Sequence, residues 1–302
     1  MKEAPALRTA TPDPATVQRL IDLVQSTLDG ILYGSGYALL AVGFTMTFGV
    51  MRRLNLAYGP TVLAGAYLGA AAHVMLGWPI LAVAPVVLIG AALTGAYIER
   101  LCFRPFTQEA AITSMVASFA IWMQIEEAAS LLLPSHTNPF PALTRAGPLM
   151  LGPFMVRVDL VAMLVIAIAV GAGLAAMLKW TRPGLAIRTV IESPRGAAVV
   201  GVPVAQIASL AFILASVVGG IAGLLLAAVD GYVTPMLGMV ATSKGLIAMM
   251  LGGLGSIRGA ILGGLLLGVV EAHAIAFGPQ VRDLVAWGLL LAILALPPGG
   301  LL

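Results

Sequence analysis

GLIAMMLGGLGSIRGAILGGLLLGVVEA, residues 245–272, carries one base, Arg258, and one acid, Glu271, in a run otherwise apolar and dense in glycine. A helix crossing a bilayer needs ~20 apolar residues. The whole apolar segment, 243–275, is therefore longer than one crossing requires. It is too long and too unalternating for a strand. Its Gly252–Gly259 core, with Ser256 and Arg258, breaks the smooth apolar surface a lipid-facing helix needs. Irregular backbone at membrane depth is tolerated only where protein or water covers it. This segment therefore belongs to a membrane protein, and it either crosses with an interruption or re-enters.

The rest of the chain agrees. Of 302 residues, 60% are hydrophobic and only 10% charged, against roughly 25% charged in soluble domains. The mean hydropathy is +1.02. Further apolar segments run 28–50, 57–76, 79–99, 110–133, 158–179, 204–229 and 282–298. Together they allow roughly eight crossings. The expectation is an all-α polytopic membrane protein with about eight transmembrane helices, at least two interrupted by glycine. Residues 1–25 hold Lys2, Glu3, Arg8, Asp13, Arg19 and Asp22 and lack a continuous apolar core, so they read as a polar N-terminal segment rather than a signal peptide. Within it, Val17, Leu20, Ile21 and Val24 fall at helical spacing, which suggests a helix along the interface before the first crossing.

The bases sit in short loops. Arg52 and Arg53 follow the first segment, Arg100 and Arg104 the third, and Lys179, Arg182, Arg188 and Arg195 the fifth. If every segment crosses once, these share the cytoplasmic side. The loop 134–157, rich in Pro, Thr and Ser, then faces outward. The same count places both termini outside, with Lys2, Arg8 and Arg19 against it. It also puts Glu271 and His273 at a solvated cytoplasmic end, and Asp230 and Tyr232 at an outer one. The distribution explains the sequence pI of about 9.2 without nucleic acid as a partner.

No catalytic constellation is visible. His73, His136 and His273 are scattered, Cys102 is the one cysteine, and no GxSxG, HExxH or Walker A motif occurs. The chain is therefore expected to hold no catalytic residue, no metal and no cofactor. If ATP drives it, the ATPase is another chain. Glycine concentrates in two places. One is Gly30, Gly34, Gly36 and Gly43, leading to the break Asn55-Leu-Ala-Tyr-Gly59-Pro60. The other contains Gly252, Gly253, Gly255 and Gly259, read as helix contacts or a hinge, because small residues let helix backbones approach. Two interrupted segments suggest a central pathway, with Asn55, Tyr58, Gln124 and Glu127 as candidates to line it; Glu126 beside them reads as an interfacial group. Buried charge otherwise looks sparse, which argues against an ATP-independent secondary transporter or channel.

The loop 181–203, TRPGLAIRTVIESPRGAAVVGVP, contains a second signal. Ser193 is a natural N-cap and Pro194 a natural first helical residue. Gly201 supplies the stop, with Pro203 beyond. The short helix between them, containing Arg195, Gly196, Ala197 and Ala198, has a small-residue face suited to a groove on a soluble partner.

This loop resembles the coupling motif of ABC importer permeases, a Glu followed by Ala five and Gly nine residues on: Glu192, Ala197 and Gly201. GILYGSGYALLAVGFTMTFGVMRRLNLAYG (30–59), ERLCFRPF (99–106), residues 245–272 and the closing LPPGGLL resemble, in order, the first permease subunit of the high-affinity branched-chain amino-acid importers. Tyr58 departs from the family's usual His, and Arg258 and Pro194 are further departures. The resemblance implies a permease domain over 26–302, with 181–203 as its cytoplasmic coupling loop, in a bacterial inner membrane. It implies import of branched-chain amino acids, with urea, short amides or other small solutes as the alternative within the family. It also implies partners: a second homologous permease subunit, two cytoplasmic ATPase subunits that consume the ATP, and a periplasmic solute-binding protein.

Overall fold

The computed structural model describes residues 14–105, 111–133 and 135–295. The fold is helical. In chain order α1 spans Pro14–Met51, α2 Tyr58–Leu76, α3 Ile80–Ile98, α4 Ala111–Leu132, α5 Val158–Trp180, α6 Arg182–Glu192, α7 Pro194–Val199, α8 Val204–Asp230, α9 Leu237–Gly252, α10 Ile257–Ala274 and α11 Pro279–Ala295. Seven helices among the described residues are long and apolar enough to cross a membrane, and α9 is a shorter apolar one.

The centre is α1, packed against α5, α8, α9 and α10. Its 38 residues make a rod of about 57 Å at ~1.5 Å per residue, well beyond a ~30 Å hydrocarbon core. The expected interfacial helix at 15–27 is not separate: no Pro or Gly interrupts the chain between Val17 and Asp29, so α1 runs through it. Leu20, Leu23 and Val24 stay exposed on that extension. At the other end Arg52 takes a left-handed φ of 51°. The Asn55 side chain then accepts from the Ala57 N–H at 3.0 Å, and α2 starts. This is the first break expected from sequence. α3 ends in a π-turn over Glu99–Phe103, closed by the Arg104 N–H on the Glu99 carbonyl at 2.9 Å.

Segment 243–275 is not one crossing. Gly253 (φ 89°) and Gly255 (φ 87°) turn the chain. The Ser256 hydroxyl then caps α10 by accepting from the Gly259 N–H at 3.1 Å. The result is an antiparallel hairpin of α9 and α10. Its helices touch through backbone: a Cβ on Gly252 would lie 2.0 Å from the Gly259 carbonyl carbon, and one on Gly263 2.1 Å from the Ala248 oxygen. The same small-residue stripe lets α10 lie antiparallel on α1, with Gly268 against Gly30 and Gly34, and Gly264 against Ala38.

The loops gather at two ends. At the basic end, Arg52 donates to the Ile191 carbonyl at 2.9 Å, Arg53 to that of Phe103 at 3.4 Å, and Ser209 to Glu99 at 2.6 Å. At the far end, β1 (Asn138–Pro139) pairs with β4 (Tyr232–Val233), while β2 (Leu149–Leu151) and β3 (Phe154–Val156) form a second ribbon. Gln25 joins this end by donating to the Met155 carbonyl at 2.8 Å. The hairpin reverses the chain beyond it. His273 lies 3.5 Å from Thr27, two residues beyond Gln25, so α10 finishes at the far end. Glu271 and His273 are therefore not at the basic end, as a single crossing required. α11 starts at the far end and heads away from it, so the count that placed both termini on one side fails by one pass. The closing LPPGGLL, Phe106 and residues 1–13 lie outside the described residues.

Candidate functional site

Charge is not sparse inside this protein. Lys244 (4% exposed) and Glu271 (2% exposed) are buried, and their hydrogen bond is 2.5 Å long. Lys244 comes from α9 and Glu271 from α10, on facing sides of the glycine hairpin. The second Glu271 oxygen accepts from the Tyr37 hydroxyl of α1 at 2.9 Å and from Arg282 Nε of α11 at 2.8 Å. Arg282 also donates to the Tyr37 hydroxyl and lies over the Tyr33 ring, 5.3 Å from its centroid. Lys244 reaches Asp283 as well, at 2.9 Å, and Tyr33 donates to Asp230 at 3.3 Å. Ions removed from water are tolerated when paired and hydrogen-bonded, and Lys244, Glu271 and Arg282 all meet that condition. The network ties α1, α9, α10 and α11 together beside a far-end cavity of about 250 Å³.

Sequence reasoning passed over Lys244, Arg282 and Asp283 and misassigned Glu271. A usable signal existed: an ionisable residue within an apolar segment is paired by default. Its partner was hidden because Lys244 and Glu271 meet only once the hairpin folds.

The second place where chemistry concentrates is the basic end. α6 is capped by the Thr181 hydroxyl on the Gly184 N–H at 3.1 Å, and α7 by Ser193 on the Gly196 N–H at 3.0 Å, with Pro194 at the first turn. Gly201 has φ 81°, and its N–H and that of Val202 bond the Ala198 and Ala197 carbonyls at 3.1 and 3.0 Å. This pair is the Schellman closure of a helix. Glu192 and Arg195 are exposed. Ala197, expected on an open face, is fully buried inside the chain. The small residue there serves internal packing. The large apolar side chains exposed here are Val199 (88% exposed), the last residue of α7, and Val200 (72% exposed), its C-cap.

The other candidates do not form one site. Gly252 and Gly259 form the hairpin contact, while Gly253 and Gly255 form its turn. Asn55 and Tyr58 are buried at the α1–α2 break, and Asn55 Nδ2 and the Tyr58 hydroxyl lack hydrogen-bond partners among the described residues. The Tyr58 hydroxyl sits where a Cβ on Gly43 would be, 2.0 Å from it. Gln124 and Glu127 lie instead on the exposed side of α4. Gln124 accepts from Tyr97 at 3.0 Å, and Glu126 accepts from Trp122 at 2.8 Å. Among the described residues no hydrogen bond links either pair to the other. No cluster of His, Cys, Asp and Glu there could hold a metal ion.

Residues 26–294 match the family model described as the permease component of the branched-chain amino-acid transport system. The high-affinity branched-chain amino-acid transport system permease protein BraD of Pseudomonas aeruginosa is 30% identical, over 92% of this chain and 95% of its own. The corresponding LivH of Escherichia coli K12 is 29% identical, over 94% and 97%. A probable LivH of Methanocaldococcus jannaschii is 28% identical over 80% and 78%. Two solved structures share the fold. An inward-facing, putatively metal-chelate type ABC transporter has a TM-score of 0.53 and 15% identity, over 95% of this chain and 91% of that one. PsaBC of Streptococcus pneumoniae has 0.51 and 13%, over 93% and 96%.

Proposed function

The chain belongs to the permease-component family of branched-chain amino-acid transport systems, and from that premise we propose that it is one half of the membrane channel of an ABC importer for branched-chain amino acids. It is a multi-pass protein of the inner membrane. The other half is a second, homologous permease subunit. Two cytoplasmic ATPase subunits drive the pair, and a periplasmic solute-binding protein delivers the amino acid at the far end. Its sequence has no phosphate-cradling loop, so ATP hydrolysis is assigned to the partner subunits.

The observation that carries the reading is α7. A two-turn helix closed at both ends, in the same loop as Arg182, Arg188 and Arg195, presents two bare valines to the solvent. The basic end is cytoplasmic by the positive-inside rule, the side where ATP is. A rigid, apolar-tipped helix there is what an ATPase groove can grip and push. In this mechanism ATP closes the ATPase pair, α7 moves with them, and α6, buried through Ile187 and Val190, transmits the displacement to the spanning helices. The test is the double substitution Val199→Glu, Val200→Glu. Both side chains point outward, so the variant should reach the membrane in normal amount. It should lose ATP-dependent leucine uptake and release the ATPase subunits on purification. Normal uptake with the ATPases still bound would remove α7 as the coupling element.

A further inference from the structure

The far-end cavity is lined by two acids, Asp29 and Glu271, two bases, Arg157 and Arg282, and the tyrosines Tyr33 and Tyr37, with Leu160 and Ile275 as apolar wall. Its formal charges cancel, which suits a ligand with no net charge but two charged ends. Glu271 is already spent, since both its oxygens accept from the network, and Arg157 is paired with Asp159 through Nε and Nη2, with its side chain half exposed to competing water. The other two have capacity left. Arg282 uses Nε on Glu271 and Nη2 on Tyr37, and Nη1 has no hydrogen bond among the described residues. Asp29 accepts from Gln25 at 2.9 Å through one oxygen, and the other oxygen has no partner among them.

Their placement is fixed by the elements. Asp29 and Tyr33 are one turn apart on the same face of α1, with Cβ atoms about 6 Å apart. Arg282 stacks on that Tyr33 ring and is clamped from behind by Glu271, which is itself anchored by Lys244. One free guanidinium nitrogen and one free carboxylate oxygen therefore line the same cavity. Asp29 and Arg282 form no direct ion pair, so the cavity between them is open to a ligand, beside an apolar wall.

We infer that this cavity is a receiving site for a free α-amino acid, with the carboxylate on Arg282, the ammonium on Asp29 and an aliphatic side chain against Leu160 and Ile275. The inference rests on the import reading above and deepens it: the site lies at the end where a delivered amino acid enters. It assigns recognition of the zwitterion to the permease itself.

The test uses the complete complex in lipid nanodiscs without its binding protein, with radiolabelled L-leucine as probe. Saturable binding is expected, displaced by unlabelled L-valine. 4-Methylpentanoate, which has only the carboxylate, and 3-methylbutylamine, which has only the ammonium, should each compete far more weakly. Asp29→Asn and Arg282→Lys should each weaken leucine binding about tenfold, the worth of one charged hydrogen bond. Three results would overturn the site: no saturable binding by a complex that imports leucine with its binding protein, single-charge analogues competing as well as valine, or unaltered affinity in Asp29→Asn. A wild-type complex that imports no leucine at all would strike the import reading instead. The cavity would then be judged by the same competitors against any zwitterion the complex does bind.

Discussion

Lys244 is the residue whose removal should cost most. It has been taken out of water, and its charge is compensated by Glu271, itself 2% exposed. Stranding one member of a buried pair costs ~3–5 kcal/mol; here Arg282 still holds the second Glu271 oxygen, so the loss should fall at the low end of that range. Lys244→Met should therefore lower the thermal unfolding midpoint of the purified protein sharply. Asp283→Asn removes the other Lys244 contact, but the Asp283 side chain is 69% exposed, so water replaces much of what is lost and the cost should stay under ~1 kcal/mol. Equal losses in melting scans of the two variants would mean that burial does not set the worth of this network. The pair was not legible in one dimension. A lone lysine at the head of an apolar run and an acid near its tail carry no mark of being neighbours. By contrast Ser193, Pro194 and Gly201 were legible, because a cap and a stop act within a few residues of themselves.

Among the elements, the α9–α10 hairpin separates two uses of glycine that a sequence cannot distinguish. Gly252 is a contact: its missing Cβ is the space occupied by the Gly259 backbone, and backbone cannot rotate aside. Gly255 is a conformation: φ is 87°, but nothing lies within 4 Å of where its Cβ would be. Gly252→Ala should therefore push the helices apart, disturb the Lys244–Glu271 pair that bridges them, and abolish uptake. Gly255→Ala should cost only the ~1 kcal/mol of a left-handed residue and leave most uptake intact. Leucine uptake in cells, normalised to membrane protein, distinguishes the two; equal loss in both would mean that the turn, not the helix contact, is the sensitive part. The coupling loop allows a similar contrast. Gly201→Val places a β-branched residue at φ 81°, a genuine outlier, and should break the Schellman closure and uptake together. Ala197→Trp, by contrast, reports on internal packing, since that position is sealed inside the chain.

At the scale of the whole molecule, one four-residue turn decides which side the chain's last sixth faces. Residues 253–256 are Gly, Leu, Gly and Ser, too apolar and too short to interrupt a hydropathy profile, so a sequence count passes through them as one crossing. The middle of the topology did not depend on that turn. The loops around residues 52, 104 and 190 are bonded to one another, and so are those around 138 and 232. Everything after residue 253 is reversed by the turn. Ala276 is an exposed residue in the short helix after α10: a single crossing puts it with Ser193, and the hairpin puts it with Ser135. A cysteine at each of the three positions, in a background where the buried Cys102 is replaced by alanine, makes the choice measurable. A membrane-impermeant thiol reagent applied to intact cells should label Ala276→Cys and Ser135→Cys and spare Ser193→Cys, which should react only after the membrane is opened. Labelling of Ala276→Cys only in opened membranes would mean that 243–275 crosses once. Lys244 and Glu271 would then have no shared end at which to pair, and the cavity they frame would lose its rigid wall.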